Sequence, residues 1–156
     1  MTFRSVLRLL PLLAAAALSS CASQDTGFTK VKIYRLNPSA RIASVDPSVS
    51  FEQQHYLYGA VSNVEREARR GNYYTFFWNA KDTKQPAQIR FEYLQSATGF
   101  KKKQKTVVID KVRRSNITQI LVTGDEYYTD GKVLAWRATL IQNGQEIGSR
   151  QSSLWQ

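Results

Sequence analysis

From residue 30 onward, apolar residues recur mostly at every second position, which is the period of a strand with one buried face. Ile89, Phe91 and Tyr93 fall on one side of such a strand, with Arg90 and Glu92 on the other. Leu134, Trp136, Ala138 and Leu140 share a face from which Arg137 and Thr139 point away. Val, Ile, Thr, Tyr, Phe and Trp, the residues that fit a pleated and half-buried surface, are grouped in runs broken by Gly, Pro, Asn and Asp. The pattern predicts eight strands: Lys30–Leu36, His55–Ser62, Asn72–Asn79, Ala87–Leu94, Lys105–Asp110, Asn116–Thr123, Lys132–Gln142 and Gln145–Trp155. Tyr73 to Trp78 places aromatics on both faces, as in a central strand, whereas the last strand is polar on both faces, as at an edge. Pro38 and Pro47 lie in the long connection after the first strand, and Pro47 with the Ser residues around it predicts an edge crossing or an irregular strand, because Pro cannot donate to a ladder. Val64 to Arg70 is the only helix-like piece, and seven residues ending at Gly71 predict one helical turn at most.

Asn143-Gly144 is the strongest local signal. Both residues tolerate positive φ, which favours a two-residue type I′ hairpin. That turn pairs residues whose numbers sum to 287, so Leu140 is expected opposite Ile147, Ala138 opposite Ser149 and Trp136 opposite Gln151. Short strands with regularly spaced turns imply an all-β sandwich or barrel. Ile117–Thr123, the turn at Gly124–Gly131, and Trp136 on a long strand before a tight hairpin resemble the E, F and G strands of an immunoglobulin or fibronectin type III sandwich. The resemblance implies an antiparallel β-sandwich of seven to eight strands. With one cysteine in the chain there is no Cys…Trp…Cys signature of a true immunoglobulin domain. A small up-and-down barrel of the lipocalin sort is the alternative; the Pro-containing stretch before Phe51 speaks against its run of consecutive hairpins.

Met1 to Ser20 follows a different pattern. Arg4 and Arg8 make a basic start, Leu9 to Leu18 is an apolar run of ten, and the small residues Ser19 and Ser20 follow. This is the layout of a secretory signal peptide, and the run is too short for a spanning helix, which needs about 20 residues. The single cysteine ends it, in Leu18-Ser19-Ser20-Cys21. These residues resemble a bacterial lipoprotein lipobox, with an aliphatic residue at −3, small residues at −2 and −1, and Cys. The resemblance covers about the first 24 residues. It implies cleavage between Ser20 and Cys21 and acylation of the Cys21 thiol, whose thiolate is the nucleophile. The other reading is a plain signal peptide with a chance cysteine. Two or three acyl chains, at about 0.8 kcal/mol per buried CH₂, make a stable anchor. By the same resemblance, Ala22 and Ser23 after the cysteine favour the outer over the inner membrane. The expected organisation is a signal peptide over 1–20, a lipidated Cys21 with a tether to residue 29, and one domain over 30–156.

Charge narrows the partners. The chain of 156 residues carries 22 Lys+Arg against 12 Asp+Glu, or +10. Loss of Arg4 and Arg8 with the signal peptide leaves 20 against 12, or +8. One His and one Cys exclude a His/Cys zinc cage within one chain, and nothing in the sequence calls for a cofactor. Lys101, Lys102, Lys103 and Lys105 are expected to project from one hairpin tip, as a polyanion site or as a solvated tip guarding a strand edge. An envelope location disfavours nucleic acid. Anionic lipid head groups, lipopolysaccharide phosphates and acidic wall polymers remain as polyanions, and an envelope protein as a macromolecular partner.

The catalytic inventory is thin. His55 is the only histidine and reads as a general base or as a partly exposed strand residue. Gly144 to Gly148 has Glu146 where a Gly-x-Ser-x-Gly elbow has its serine. Asp125 to Gly131 holds three carboxylates in a predicted loop, a candidate Ca²⁺ ligand set without EF-hand spacing or else a solvated Asp-Gly turn. Glu65 and Glu67 among Arg66, Arg69 and Arg70 are expected to make local ion pairs. Tyr56, Tyr58, Tyr73, Tyr74, Tyr127 and Tyr128 are candidates for a sugar-stacking platform or for ordinary packing. The reading favoured by the sequence is a lipid-anchored, non-enzymatic binding, adaptor or structural module of the bacterial envelope. The alternatives are an envelope enzyme or subunit acting on glycan or lipid, or a small-ligand carrier if the fold is a barrel.

Overall fold

Burial alternates residue by residue along Ala87–Gln95, with Ile89, Phe91 and Tyr93 fully inside, as the apolar/polar alternation requires. The computed structural model describes residues 26–39 and 47–156. Its elements in chain order are β1 (Gly27–Leu36), α1 (Pro47–Leu57), α2 (Asn63–Ala68), β2 (Gly71–Asn79), β3 (Ala87–Gln95), β4 (Lys103–Ile109), β5 (Ser115–Thr123), α3 (Asp125–Asp130), β6 (Val133–Gln142) and β7 (Gln145–Gln151). The strands form two antiparallel sheets in the orders β1-β2-β5 and β4-β3-β6-β7. They are open sheets and not a closed barrel, so the barrel alternative is set aside. The aromatic strand β2 is the centre of the first sheet and the polar strand β7 an edge of the second, as their patterns predicted.

The inner faces meet over an aromatic core of Phe28, Tyr74, Phe76 and Trp78 from one sheet and Phe91, Tyr93 and Trp136 from the other. Phe91 sits at its centre, 4.7 Å from Tyr74 and 6.0 Å from both Phe76 and Trp136, ring centroid to centroid. Buried polar side chains staple the loops to this core. The Trp78 indole N–H donates to Thr118 Oγ1 at 3.0 Å, Gln142 Nε2 to the carbonyls of Asp82 and Gln85, and the Val133 N–H to Asn72 Oδ1. Each satisfies a group whose burial unpaired would be costly.

Asn143 and Gly144 both have positive φ, 53° and 72°, as a type I′ turn demands. Gln142 faces Gln145 and Ile141 faces Glu146, but a register shift follows. Leu140 therefore lies opposite Gly148 and not Ile147, Ala138 opposite Arg150, and Gln151 opposite Arg137. The shift brings Gly148 against Gly27 of β1, where the two backbones approach so closely that a Cβ on Gly148 would lie 3.0 Å from the Gly27 Cα. Turn chemistry set the first two rungs, and this seam between sheets set the rest. A second irregularity, between Leu94 and Gln95, leaves Leu134 half-exposed while Ala135 is buried.

The predicted strand His55–Ser62 is not one. Its first residues end α1 and the remainder is the loop to α2. Tyr56, Tyr58 and Val61 suggest a strand face, yet Pro47 opens the helix at the position where a fixed φ and a missing N–H cost nothing. Tyr56 then packs on the outer face of the first sheet, stacked on Tyr34 at 4.9 Å and tilted against Tyr73 at 4.3 Å. The predicted turn within Val64–Arg70 is α2, opened by a capping box: the Glu65 N–H donates to the Ser62 side chain, and the Glu65 carboxylate accepts from the Ser62 N–H. Arg69 Nη1 donates to the carbonyls of Tyr56 and Tyr58 and so satisfies the end of α1.

Candidate functional site

Antiparallel connectivity gives the sandwich two ends. One carries the start of β1 with the 80–86, 110–114 and 143–144 connections. The other carries α1, α2, α3 and the β3–β4 turn. Strand alternation puts Lys103 and Lys105 on the same face of β4 as Val107 and Ile109, toward the space between the sheets. At the helical end α3 closes that space. Lys105 Nζ lies 2.6 Å from Glu126 Oε2, Lys103 pairs with Asp130 and lies 3.7 Å from Glu126 Oε1, and the Tyr93 hydroxyl donates to Glu126. Lys105 Nζ also donates to the Leu121 carbonyl of β5 at 2.7 Å. Burial by itself raises the Glu126 carboxyl, but the hydrogen bonds from Lys105 and Tyr93 and the charges of Lys105 and Lys103 outweigh it, and its pKa is lowered. The hydrogen bond to Asp130 raises the Lys103 ammonium, and burial followed by Glu126 raises the Tyr93 phenol.

The four lysines therefore do not share one tip. Lys101 and Lys102 stand in the β3–β4 turn, with Lys102 Nζ 4.9 Å from the centroid of the buried Trp155 ring. Lys103 and Lys105 are spent on carboxylates inside the sandwich mouth. Asp125–Asp130, expected as a loop, is a short helix whose Glu126 and Asp130 serve those lysines. The signal that Glu126 and Asp130 are ion-pair partners was not local: it required β4 and α3 to be juxtaposed by the fold.

The remaining candidates are dispersed. His55 is exposed near the end of α1, edge-on to Tyr56, and none of the described carboxylates is bonded to it. Glu146 lies in the hairpin rung opposite Ile141. The tyrosines do not form one platform: Tyr73 and Tyr74 are buried on opposite faces of β2, Tyr56 packs on the first sheet, and Tyr58 is 86% exposed. The Tyr128 hydroxyl donates to Glu67. Glu67 pairs with Arg70 at 2.7 Å, as expected from sequence, and the hydrogen bonds from Arg70, Ser39 and Tyr128 hold its carboxyl at about 2. Glu65 instead serves the capping box. Among the described residues, no three His, Cys, Asp or Glu side chains are grouped to hold a metal ion, and no helix is long and apolar enough to cross a membrane. Ser20, Cys21 and the segment 1–20 lie outside the described residues.

A groove of about 640 Å³ lies between the edge strands β4 and β5. Val107, Val108, Ile109 and Ile117 supply its apolar walls, and Lys111 and Arg113 its cationic rim. Val108 and Ile117 are 60% and 68% exposed. The groove runs from the 110–114 connection up to the Lys105–Leu121 bridge. Sequence reading missed it because its two walls come from different sheets. No known protein family, curated protein or solved structure matches the chain.

Proposed function

We propose that the chain is a lipid-anchored protein of a bacterial envelope that acts as a non-enzymatic binding or adaptor module, held to the outer membrane through Cys21 and recognising another envelope macromolecule. The observation that supports it is where the fold places its unspent contact surface. The interior is filled by aromatic side chains, while the edge strands and loops present apolar and cationic groups outward. Leu18-Ser19-Ser20-Cys21 supports the anchoring half of the reading. Cys21 precedes Gly27 by six positions, and six residues span at most about 20 Å. A lipid on Cys21 would thus keep the β1-start end of the sandwich near the bilayer and leave its long edges free to meet a partner beside it.

The test is acylation. Cells expressing the full chain are fed labelled palmitate, and Cys21→Ser is expected to abolish its incorporation. A Cys21→Ser protein that still carries label overturns the anchoring reading. For the adaptor half, the acylated chain is cross-linked in intact envelopes, where a defined partner band that tracks the protein is expected.

A further inference from the structure

Four strands end a sheet in this sandwich: β1 and β5 in one, β4 and β7 in the other. Natural proteins guard such edges with charge, because an edge presents unpaired N–H and C=O groups to any passing strand. β1 carries Lys30, Lys32 and Arg35, β4 carries Lys103 and Lys105, and β7 carries Glu146 and Arg150. β5 reads Ser-Asn-Ile-Thr-Gln-Ile-Leu-Val-Thr, nine residues without a charge.

The free groups of β5 can be assigned. Each residue of a strand directs its N–H and C=O to the same side, and successive residues alternate. The Arg114 carbonyl accepts from Ala80, at the end of β2, at 3.1 Å, whereas the Leu121 carbonyl accepts from Lys105 on the other side. The β2–β5 register runs without a shift from Ser115 to Thr123. Even-numbered residues therefore bond to β2, and Ser115, Ile117 and Gln119 direct their backbone groups off the sheet. Among the described residues, Lys105 covers the edge at Leu121. Below it lies the groove, with Val107, Ile109 and Ile117 as walls, Lys111 and Arg113 as its rim, and no carboxylate in its lining. The rim is pre-set: the Arg113 N–H donates to Asn116 Oδ1 at 2.8 Å, and Asn116 Nδ2 donates back to the Arg113 carbonyl.

We propose that this edge is the docking site for an extended, acidic segment of a partner protein, which adds as a strand beside Ser115–Gln119 and rests its apolar side chains in the groove. The inference deepens the adaptor reading above and rests on it. Main-chain hydrogen bonds give such a mode its affinity, and alternate side chains give its specificity. Carboxylates on the segment complement Lys111 and Arg113. A second copy of this chain fits less well, since a formal charge of +8 after loss of residues 1–20 would be brought against its own kind.

The experiment uses the full chain in detergent with two synthetic peptides of about seven residues, the length of a short strand. One alternates Val with Glu, the other Val with Lys. The Glu peptide is expected to bind and to slow hydrogen exchange at the Ser115, Ile117 and Gln119 amides of the unmutated protein, and the Lys peptide to do neither. Ile117→Pro deletes an outward N–H that β2 does not use, and is expected to weaken binding roughly tenfold. Lys111→Gln with Arg113→Gln is expected to weaken the Glu peptide at low salt, with the difference shrinking as salt rises. Protection that appears elsewhere, or equal binding of both peptides, overturns the proposal. So does dimerisation through β5 without peptide uptake, or loss of anionic-vesicle binding in the Lys111/Arg113 variant while the peptide still binds normally. Palmitate labelling reads the anchor independently: a failed anchor leaves β5 protection intact, and absent protection leaves the anchor intact.

Discussion

Glu126 illustrates how one side chain can finish a fold that strand patterns only begin. It is one-quarter exposed and holds Lys105 at 2.6 Å, Lys103 at 3.7 Å and the Tyr93 hydroxyl, so loss of its charge weakens two ion pairs and the hydrogen bond from Tyr93. Glu126→Gln is expected to lower unfolding free energy by about 2 kcal/mol, as for hydrogen bonds to charged groups, measured by denaturant titration. The pH dependence has a definite sign. Glu126 titrates lower in the folded chain, so its contribution is present above the ordinary carboxylate range and is lost as pH falls through its folded pKa. Lys103 titrates higher when folded, so its contribution is present below the ordinary lysine range and is lost as pH rises through its folded pKa. Stability of the unmutated protein should therefore be flat around neutrality, and Glu126→Gln should reduce its fall on the acid side. A variant as stable as the parent at neutral pH would show that the network merely occupies space.

Among the elements, α2 is one that helix propensity alone should not sustain. Six residues are far below the roughly 12 to 15 an isolated helix needs. It persists because its first turn is capped by Ser62 and Glu65, and its last is tied by Arg70 to Glu67 and by Tyr128 of α3 to the same carboxylate. Ser62→Ala is expected to cost about 1 kcal/mol and to speed hydrogen exchange of the Glu65 amide, which loses its acceptor. Unchanged exchange there would mean that tertiary ties, and not the cap, hold the turn. Contacts between elements also decide α1, where the sequence predicts a strand. Tyr56 looks like a strand aromatic, but its partners Tyr34 and Tyr73 lie on β1 and β2, at a distance along the chain that no window can sense.

For the molecule as a whole, the decisive feature is an aromatic core shared between the sheets. Phe91 is fully buried and touches aromatic rings of both. Phe91→Ala should leave a cavity costing about 4 kcal/mol, a large share of the roughly 5 to 15 kcal/mol that stabilises a domain. Thermal or denaturant unfolding checks it, and a loss below about 1 kcal/mol would contradict the core described here. The electrostatic character of the exterior follows from where the basic excess is spent. Lys103 and Lys105 are paired with carboxylates of α3, so the basic residues left outward at the two ends include Lys101 and Lys102 in the β3–β4 turn and Lys111 and Arg113 on the groove rim.

The sequence by itself determined what alternation and turn chemistry can encode. Ile89, Phe91 and Tyr93 had to share a buried face because strand side chains alternate. β2 had to be central because it is apolar on both faces, and Asn143-Gly144 had to turn because both residues accept positive φ. The resemblance of Leu18-Ser19-Ser20-Cys21 to a lipobox is likewise legible along the chain, because it is a run of consecutive residues. Tertiary structure decided everything that joins residues from separate elements. The bulge at Ile147 answers to Gly27 on another sheet, Pro47–Leu57 is a helix that docks through Tyr56, and the four lysines are split because Glu126 and Asp130 reach two of them. The uncharged β5 could be read as a string of letters, but that it is an edge beside a groove could not. Which strand ends a sheet depends on long-range pairing, and the pairing energy is shared among partners that local propensity does not see.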